Sequence, residues 1–338
     1  MGTALVTGVT GQLGFYVAEQ LAARGESVWG LVRQSTIGRN AGGTAAALPY
    51  RPITGDLLDE YSLLSILEQV RPDRIFNFGA QSFIPASWAQ PILTAQYTGL
   101  GMVRLLEAVH RAVPHCRVLQ AGSSELFAEA DRSPQDEDSP IRPLNPYGIA
   151  KSFAYHTMRA YRRHYGQFAT NAIFFTNESP RRTAEFVFRK VTRGVAEIVA
   201  GKRQQISLGN LETVRDWGYA PEYAAISVAL LDLERADDFV IATGEGHTVR
   251  ELVSQSFGLV GLEWQKHVQL DDTLVRPSEQ IPSVGNSAKL KRILGRSPTV
   301  KFDAVLRILL AHDLRSLDCP VPFESPDPVG VVRSGDRG

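Results

Sequence analysis

Tyr147 and Lys151 stand four residues apart at the head of a long helix-patterned segment, a spacing that puts both side chains on one helix face. A free phenol, with a pKa of ~10, is a poor base at neutral pH. An ammonium beside it, joined by a cationic ring in the same site, favours the phenolate and brings it into the working range. Upstream, Ser123 and Glu125 follow the strand-like run Arg117-Val118-Leu119-Gln120-Ala121. In a parallel sheet the carboxyl ends of strands are where ligands bind. Ser123 is placed to hydrogen-bond a reacting hydroxyl and complete a Ser-Tyr-Lys set. Glu125 adds something a simple dehydrogenase does not need. Eliminating water next to a new carbonyl requires a proton acceptor that then becomes a donor. Taken singly these residues are ordinary, since Tyr-x-x-x-Lys is common on helices and a strand-end Glu is often only a surface charge.

A second signal makes the set specific. Thr7-Gly8-Val9-Thr10-Gly11-Gln12-Leu13-Gly14 joins the strand-like Ala4-Leu5-Val6 to a segment with Leu13, Val17, Ala18 and Leu21 at helical spacing. Glycines there allow a tight turn and close approach of backbone to a pyrophosphate, which sits at the positive end of the following helix. Thr7, Gly8, Thr10, Gly11, Gln12, Leu13 and Gly14 are therefore assigned to a dinucleotide cofactor. The second strand, Val28 to Val32, ends on Arg33-Gln34-Ser35 with no acid before Asp56. Arg33 can pair with a 2′-phosphate and Ser35 can donate to it, which favours NADP over NAD. The plainer alternative is that Arg33 is a solvated strand-end charge. Asp56 and Leu57 resemble the loop that touches the adenine ring, and Gly79, Ala80 and Gln81 fall where a third strand ends beside the pyrophosphate.

These motifs need a scaffold, and the chain has one. Strand-like runs (Ala4 to Val6, Val28 to Val32, Ile75 to Phe78, Arg117 to Ala121, Asn171 to Phe175) alternate with helical patterns near Leu13, Leu100 and Tyr147. That alternation predicts βαβ units around a parallel sheet. The stretch from Arg132 to Pro146 carries four prolines and reads as a polar loop, with its acidic residues solvated. Later come a helix over Phe186 to Ala200, strands near Ile206 and Val240, and helices near Val249 and Leu306. The expected fold is α/β, a Rossmann-type doubly wound parallel sheet with a smaller, interleaved C-terminal lobe. Its expected divisions are a cofactor domain over 1–175 with returns to the sheet near 213–244, a lobe mainly over 176–317, and a mobile Pro/Gly-rich tail over 318–338.

Composition narrows the partners. The 338 residues hold 36 Lys+Arg against 36 Asp+Glu, are 43% hydrophobic and contain two cysteines. Such a chain is neither disordered nor a disulfide scaffold, and its zero net charge gives no general pull on nucleic acid or anionic membrane. The seven histidines show no metal-ligand spacing, so no metal is expected. The longest apolar stretches fall short of the ~20 residues that cross a bilayer. A chain with two cysteines and no leader is expected in the cytoplasm.

Taken together the motifs resemble an extended short-chain dehydrogenase/reductase, and within that superfamily the GDP-mannose 4,6-dehydratase family. The resemblance runs from about Ala4 to Leu317. It rests on the glycine loop, Gly79-Ala80-Gln81-Ser82, Ser123-Ser124-Glu125-Leu126 and Pro146-Tyr147-Gly148. It continues in Asn177-Glu178-Ser179-Pro180-Arg181-Arg182, Leu208-Gly209-Asn210-Leu211, Arg215-Asp216-Trp217-Gly218 and Arg276-Pro277-Ser278-Glu279. The resemblance implies cofactor contacts from Asn177 and Arg182 as well as from Tyr147 and Lys151. It implies sugar-nucleotide contacts from Ser82, Ser124, Glu125, Thr176, Glu178, Arg181, Asn210, Arg215, Arg276 and Glu279. It also implies Ser123, Glu125, Tyr147 and Lys151 as the catalytic set, and a homodimer or homotetramer. The chain departs from the family in having Thr176-Asn177 for Asn-His, Gln34 for a second Arg, Leu13 for Asp and Ala128 for Gly. The implied reaction is NADP-dependent conversion of GDP-mannose to its 4-keto-6-deoxy product. The alternatives on this fold are a dehydratase for another nucleotide sugar, an epimerase, a 4-ketoreductase and a non-catalytic dinucleotide-binding regulator.

Overall fold

The run Thr3–Thr7 (β1) is buried along its last four residues, the pattern of a strand covered on both faces by helices. Strand and helix then alternate: α1 (Gln12–Ala23), β2 (Ser27–Val32), β3 (Arg51–Thr54), α2 (Glu60–Val70), β4 (Arg74–Asn77), α3 (Ile84–Ala89), α4 (Pro91–Thr94), α5 (Gly101–Ala112), β5 (Arg117–Ala121), α6 (Pro146–Tyr165) and β6 (Ala169–Phe174). Then come β7 (Thr176–Glu178), α7 (Val187–Val199), β8 (Ile206–Leu208), β9 (Val214–Arg215), β10 (Trp217–Tyr219), α8 (Ala220–Leu230) and β11 (Asp238–Ile241). The last elements are β12 (His247–Thr248), α9 (Val249–Gly258), β13 (Val268–Leu270), α10 (Ala288–Leu294) and α11 (Phe302–Arg315). This computed structural model describes residues 2–34, 48–275 and 281–327.

Seven strands form one sheet in the order β11-β6-β5-β4-β1-β2-β3. The pairs β1 with β2 and β4, β2 with β3, β4 with β5, and β5 with β6 are all parallel. The chain winds outward from β1 through β3, then returns to β4 and winds the other way. The doubly wound sheet anticipated from the alternation is therefore present. Its reversal between β1 and β4 is the crevice where ligands bind in such sheets.

The chain divides into two compact units. The first comprises residues 1–129, 139–174 and 223–240. One of its cores packs Leu5 and Ile75 of the sheet with Leu63 and Leu67 of α2 and Leu105 and Leu106 of α5, all at 0% exposure. Each such side chain contributes about 1.5–3 kcal/mol by leaving water. At one end of α6, Asn145 caps the helix by accepting from the Gly148 amide at 2.8 Å, Pro146 follows at the first turn, and Gly166 closes the other end at φ 66°. Arg162, on the last turn of α6, donates to buried Asp238 at 2.8 Å, an internal tie rather than part of a basic surface.

The second unit comprises residues 130–138, 175–222 and 241–338. In it β10 pairs parallel with β7, and α7, α9 and α11 enclose a core that includes Phe188, Trp217 and Phe302. Phe188 meets the Trp217 ring edge-on, with centroids 5.5 Å apart. Arg189 of α7 and Asp313 of α11 form an ion pair buried at 8% and 0% exposure. Asp313→Ala would strand the guanidinium and is expected to cost about 3–5 kcal/mol in urea unfolding, whereas replacing both partners by apolar residues recovers most of that loss.

Four features differ from the sequence expectation. β3 and α2 have no counterpart in the strand and helix runs read above. β3 is an edge strand of four residues, mostly exposed and containing Pro52, so the alternation that marks a strand is missing. Helix α8 was legible only as an apolar stretch; it is buried along its whole length, and such a helix has no polar face to reveal its period. The acidic loop is not wholly solvated, because Gln135 is 2% exposed and its backbone N–H donates to the Val284 carbonyl at 2.8 Å. The start of the expected mobile tail is packed: Cys319, Val321 and Phe323 lie against the second unit's core. Both cysteines are free.

Candidate active site

The turn after β1 is shaped by what a side chain would hit. Gly8 sits at φ +62°, and a Cβ there would lie 2.7 Å from the Phe78 carbonyl carbon. A Cβ on Gly14 would meet the Gly8 carbonyl oxygen at 2.4 Å, so α1 can start against the turn only with glycine there. Helix α1 has no side-chain cap and no acid in its first turn, so no carboxylate of its own offsets the positive potential at that end. Thr7 ends β1, Thr10 lies in the turn, and Gln12 and Leu13 open α1. The cradle fits a pyrophosphate on geometry alone.

Around it lie the other residues expected at a dinucleotide. Arg33 follows β2, with its guanidinium 5.5 Å from the Tyr97 ring centroid. The Tyr97 hydroxyl donates to the Asp56 carboxylate at 2.9 Å, so Arg33, Tyr97 and Asp56 form one cluster. Tyr97, on the π-helical turn before α5, was not singled out by any motif. Leu57 is 4% exposed and a Cβ on Gly79 would reach its side chain at 2.7 Å, so that side chain packs under the loop. The Gly79 N–H donates to Thr7 Oγ1 at 3.0 Å. Beyond Ala80, the Gln81 N–H donates to Thr98 Oγ1 at 3.2 Å, and Ser82 is exposed. Ser35 lies outside the described residues.

The four catalytic candidates share the first unit. Ser123 caps a short 3₁₀ turn over Ser124–Phe127, accepting from the Glu125 N–H at 3.2 Å. The Glu125 carboxylate accepts from Asn145 Nδ2 at 2.7 Å. Asn145 therefore does two jobs with one amide, its oxygen capping α6 and its nitrogen holding Glu125. The sequence reading missed it, although Asn before Pro-Tyr at a helix start is a cap signal. Gly148 makes the contact close: a Cβ there would lie 2.8 Å from the Glu125 carbonyl oxygen. Tyr147 is 8% exposed and Lys151 3% exposed. Lys151 Nζ donates to the Ala121 carbonyl at 2.6 Å and lies 5.7 Å from the Tyr147 ring centroid. Burial alone pulls the Lys151 ammonium down to about 7, because a charge in that setting has lost its water.

The second unit gathers the later motifs. In the β7–β10 ladder Trp217 faces Thr176, Gly218 faces Asn177 and Tyr219 faces Glu178, so the Asn-Glu-Ser-Pro-Arg-Arg and Arg-Asp-Trp-Gly segments are neighbours. Glu178 is 1% exposed, with Arg182 Nε 3.7 Å away. Burial raises its pKa to about 7, against the pull of Arg182 and Arg189. The Arg182 guanidinium covers the Phe186 ring at 3.3 Å. Asn177 Nδ2 donates to the Phe175 carbonyl at 3.2 Å. Arg181 and Asn210 are exposed, and Arg215 is half-buried on β9. Asp216, unassigned by sequence, is 0% exposed and anchors the next loop by accepting from the Thr243 N–H and Oγ1 and from the Gly244 N–H at 2.7–2.9 Å. Arg276 and Glu279 lie outside the described residues. Among the described residues there is no cluster of three potential metal ligands, and no helix is long and apolar enough to cross a membrane.

The sequence model of GDP-mannose 4,6 dehydratase matches residues 5–309. This chain belongs to the GDP-mannose 4,6 dehydratase family. Within it, the GDP-mannose 4,6 dehydratase 1 of Arabidopsis thaliana is 39% identical over 330 residues, covering 92% of this chain and 89% of its own. The human GDP-mannose 4,6 dehydratase is 38% identical, covering 92% and 91%. The dTDP-glucose 4,6-dehydratase of Streptomyces venezuelae, solved with NAD bound, superposes at a TM-score of 0.80 with 25% identity over 93% of this chain and 97% of that one. The family is thus one of hydro-lyases, and the fold is shared with dehydratases for other nucleotide sugars.

Proposed function

We propose that this protein is an NADP-dependent 4,6-dehydratase converting GDP-mannose to GDP-4-keto-6-deoxymannose. The observation that carries this reading is Glu125, tied by Asn145 to the first turn of the helix that bears Tyr147 and Lys151. Membership of the family supplies the substrate.

Tyr147, as phenolate, takes the proton from the sugar's 4-hydroxyl, with the Lys151 ammonium favouring its charge and Ser123 holding the hydroxyl. When bound, NADP would accept the hydride from carbon 4 and return it to carbon 6, so no reductant is consumed. The 4-ketone acidifies the proton on carbon 5, and Glu125 removes it. Glu125 then gives that proton to the departing 6-hydroxyl, which leaves as water. The proton held at Tyr147 balances the one regained at carbon 5. Arg181, Arg215 and Arg276 counter the diphosphate, for which a guanidinium fork is well suited. Thr176, Glu178, Asn210, Ser82, Ser124 and Glu279 complete the sugar-nucleotide contacts, with Asn177 and Arg182 on the cofactor side. In this reading residues 1–175 with the returns near 213–244 serve mainly the cofactor, and 176–317 the sugar nucleotide.

The preference for NADP is supported by Arg33 and the lack of an acid after β2. Arg33→Ala is expected to reduce the NADP-over-NAD affinity ratio by roughly tenfold, about 1.4 kcal/mol, as read by titrating both cofactors. The protein is further proposed to be cytoplasmic and a homodimer or homotetramer. Exposed Trp88, Ile92 and Phe153 on α3, α4 and α6 support self-association, which light scattering on the purified protein checks. The decisive assay incubates the protein with GDP-mannose and other nucleotide sugars without added reductant and follows product mass. Loss of one water with no net NADPH change supports a dehydratase; net NADPH consumption or an unchanged mass refutes it.

A further inference from the structure

Thr7, Asn77 and Gln120 sit at the carboxyl ends of the adjacent strands β1, β4 and β5, with exposures of 0%, 2% and 1%. Three polar side chains at neighbouring strand ends are costly to bury unless each finds its partner. Here they form one row. The Gly79 N–H donates to Thr7 Oγ1 at 3.0 Å, and Thr7 Oγ1 in turn donates to Asn77 Oδ1. Asn77 Nδ2 donates to Gln120 Oε1 at 2.6 Å, and Gln120 Nε2 donates to the Ala121 carbonyl at 2.9 Å. Lys151 Nζ donates to that same carbonyl at 2.6 Å.

The bonds run in one direction along the row. Thr7 Oγ1 accepts from the Gly79 N–H and turns its own proton to the Asn77 oxygen. The Asn77 amine then faces Gln120, which must present its oxygen, leaving the Gln120 amine for Ala121. Flipping the Gln120 amide would set nitrogen against nitrogen at Asn77 and oxygen against oxygen at Ala121, and flipping the Asn77 amide would set oxygen against oxygen at Gln120. Beside Lys151, Tyr147 shares its helix, the Ala121 carbonyl accepts from Nζ and the neutral amide of Gln120 donates to the same carbonyl, while Glu125 after β5 is held by Asn145.

We propose that Gln120 is a positioning residue for Lys151, fixing where the ammonium sits by sharing the Ala121 carbonyl with it, in a row that starts at the phosphate-binding turn. The inference rests on the reading of Lys151 as the partner of Tyr147. A carbonyl that already accepts from an amide holds an ammonium less tightly, so the row also keeps the lysine easy to deprotonate.

Gln120→Met keeps the length of the side chain and removes the donor. Lys151 is then expected to titrate higher, by roughly half to one pH unit. The measurement is the pH titration of ¹³Cε-lysine-labelled protein, with Lys151→Met identifying the resonance. It needs no substrate, so it stands apart from the assay of the proposed reaction. In the dehydration assay the alkaline limb of the same variant moves upward with pH, because the Lys151 ammonium persists to higher pH. A purely structural role predicts lower thermal stability and lower activity at every pH, with the limb in place. An unchanged Lys151 titration in folded Gln120→Met overturns the inference. If that variant does not fold, Gln120→Glu still accepts from Asn77 and adds negative charge near the lysine, so an upward shift is again required and its absence is equally fatal. A shifted lysine in a protein inert toward GDP-mannose would refute the proposed reaction and leave the positioning role standing.

Discussion

Glu125→Gln is expected to lower the dehydration rate by roughly 10²–10⁴-fold, the usual contribution of a positioned acid–base group. The amide cannot take the carbon 5 proton, yet its oxygen can still accept from Asn145 Nδ2, as the carboxylate does at 2.7 Å. The α6 cap, the Tyr147 turn and the Ser123 turn therefore stay in place. GDP-mannose binding should change by less than about threefold and unfolding free energy by about 0.5 kcal/mol or less. Oxidation at carbon 4 needs only Tyr147, Lys151 and Ser123, so a single turnover should still show a transient of reduced cofactor. Calorimetric binding, denaturant unfolding and rapid-mixing absorbance check the three statements. Lost binding with intact folding would count against a proton-transfer role.

Lys151→Met is expected to produce an enzyme that is more stable and nearly inactive. The ammonium is buried beside Ala121, and loss of solvation holds it down at about 7. Its ordinary value lies near 10.5, so between those values the unfolded chain binds a proton that the folded chain does not. Stability therefore rises with pH across that window, and the burial penalty is complete below pH 7. A shift of this size converts to as much as about 5 kcal/mol. Replacing the lysine by an apolar side chain removes that penalty and flattens this part of the pH dependence. Urea unfolding at pH 6 and pH 10, taken as about one unit outside and near the top of the window, should show the variant ahead at the lower pH and level at the higher. Activity falls because Tyr147 loses the neighbouring charge that favours its phenolate. A variant less stable than the parent at both pH values would show that the lysine's bond to Ala121 outweighs its desolvation.

The site was legible where a short local pattern carries its own chemistry. Glycine at 8 and 14 is demanded by contacts inside one turn, and Tyr147 and Lys151 meet because four residues make about one helical turn. Asn145 and Asp216 were harder to see. Each acts through groups distant in sequence, Asn145 on Glu125 and Asp216 on Thr243 and Gly244, and nothing adjacent in the chain announces those partners. Helix α8 escaped for another reason: a helix apolar all round has no polar face to mark its period.

By itself the sequence determined the α/β alternation, the glycine turn after β1 and the helical spacing that puts Tyr147 and Lys151 on one face. All are set by interactions within a few residues or by the hydrophobic period. Tertiary structure decided the rest. It brought the ends of β1, β4 and β5 together so that Thr7, Asn77 and Gln120 could share one row of hydrogen bonds reaching Lys151. It set β7 beside β10, which made neighbours of two motifs separated by a whole helix. It also buried Lys151 and Glu178 enough to move their proton affinities. Those effects depend on which groups meet after the chain has crossed the sheet and on how much water is left around them, quantities that no local pattern of residues contains.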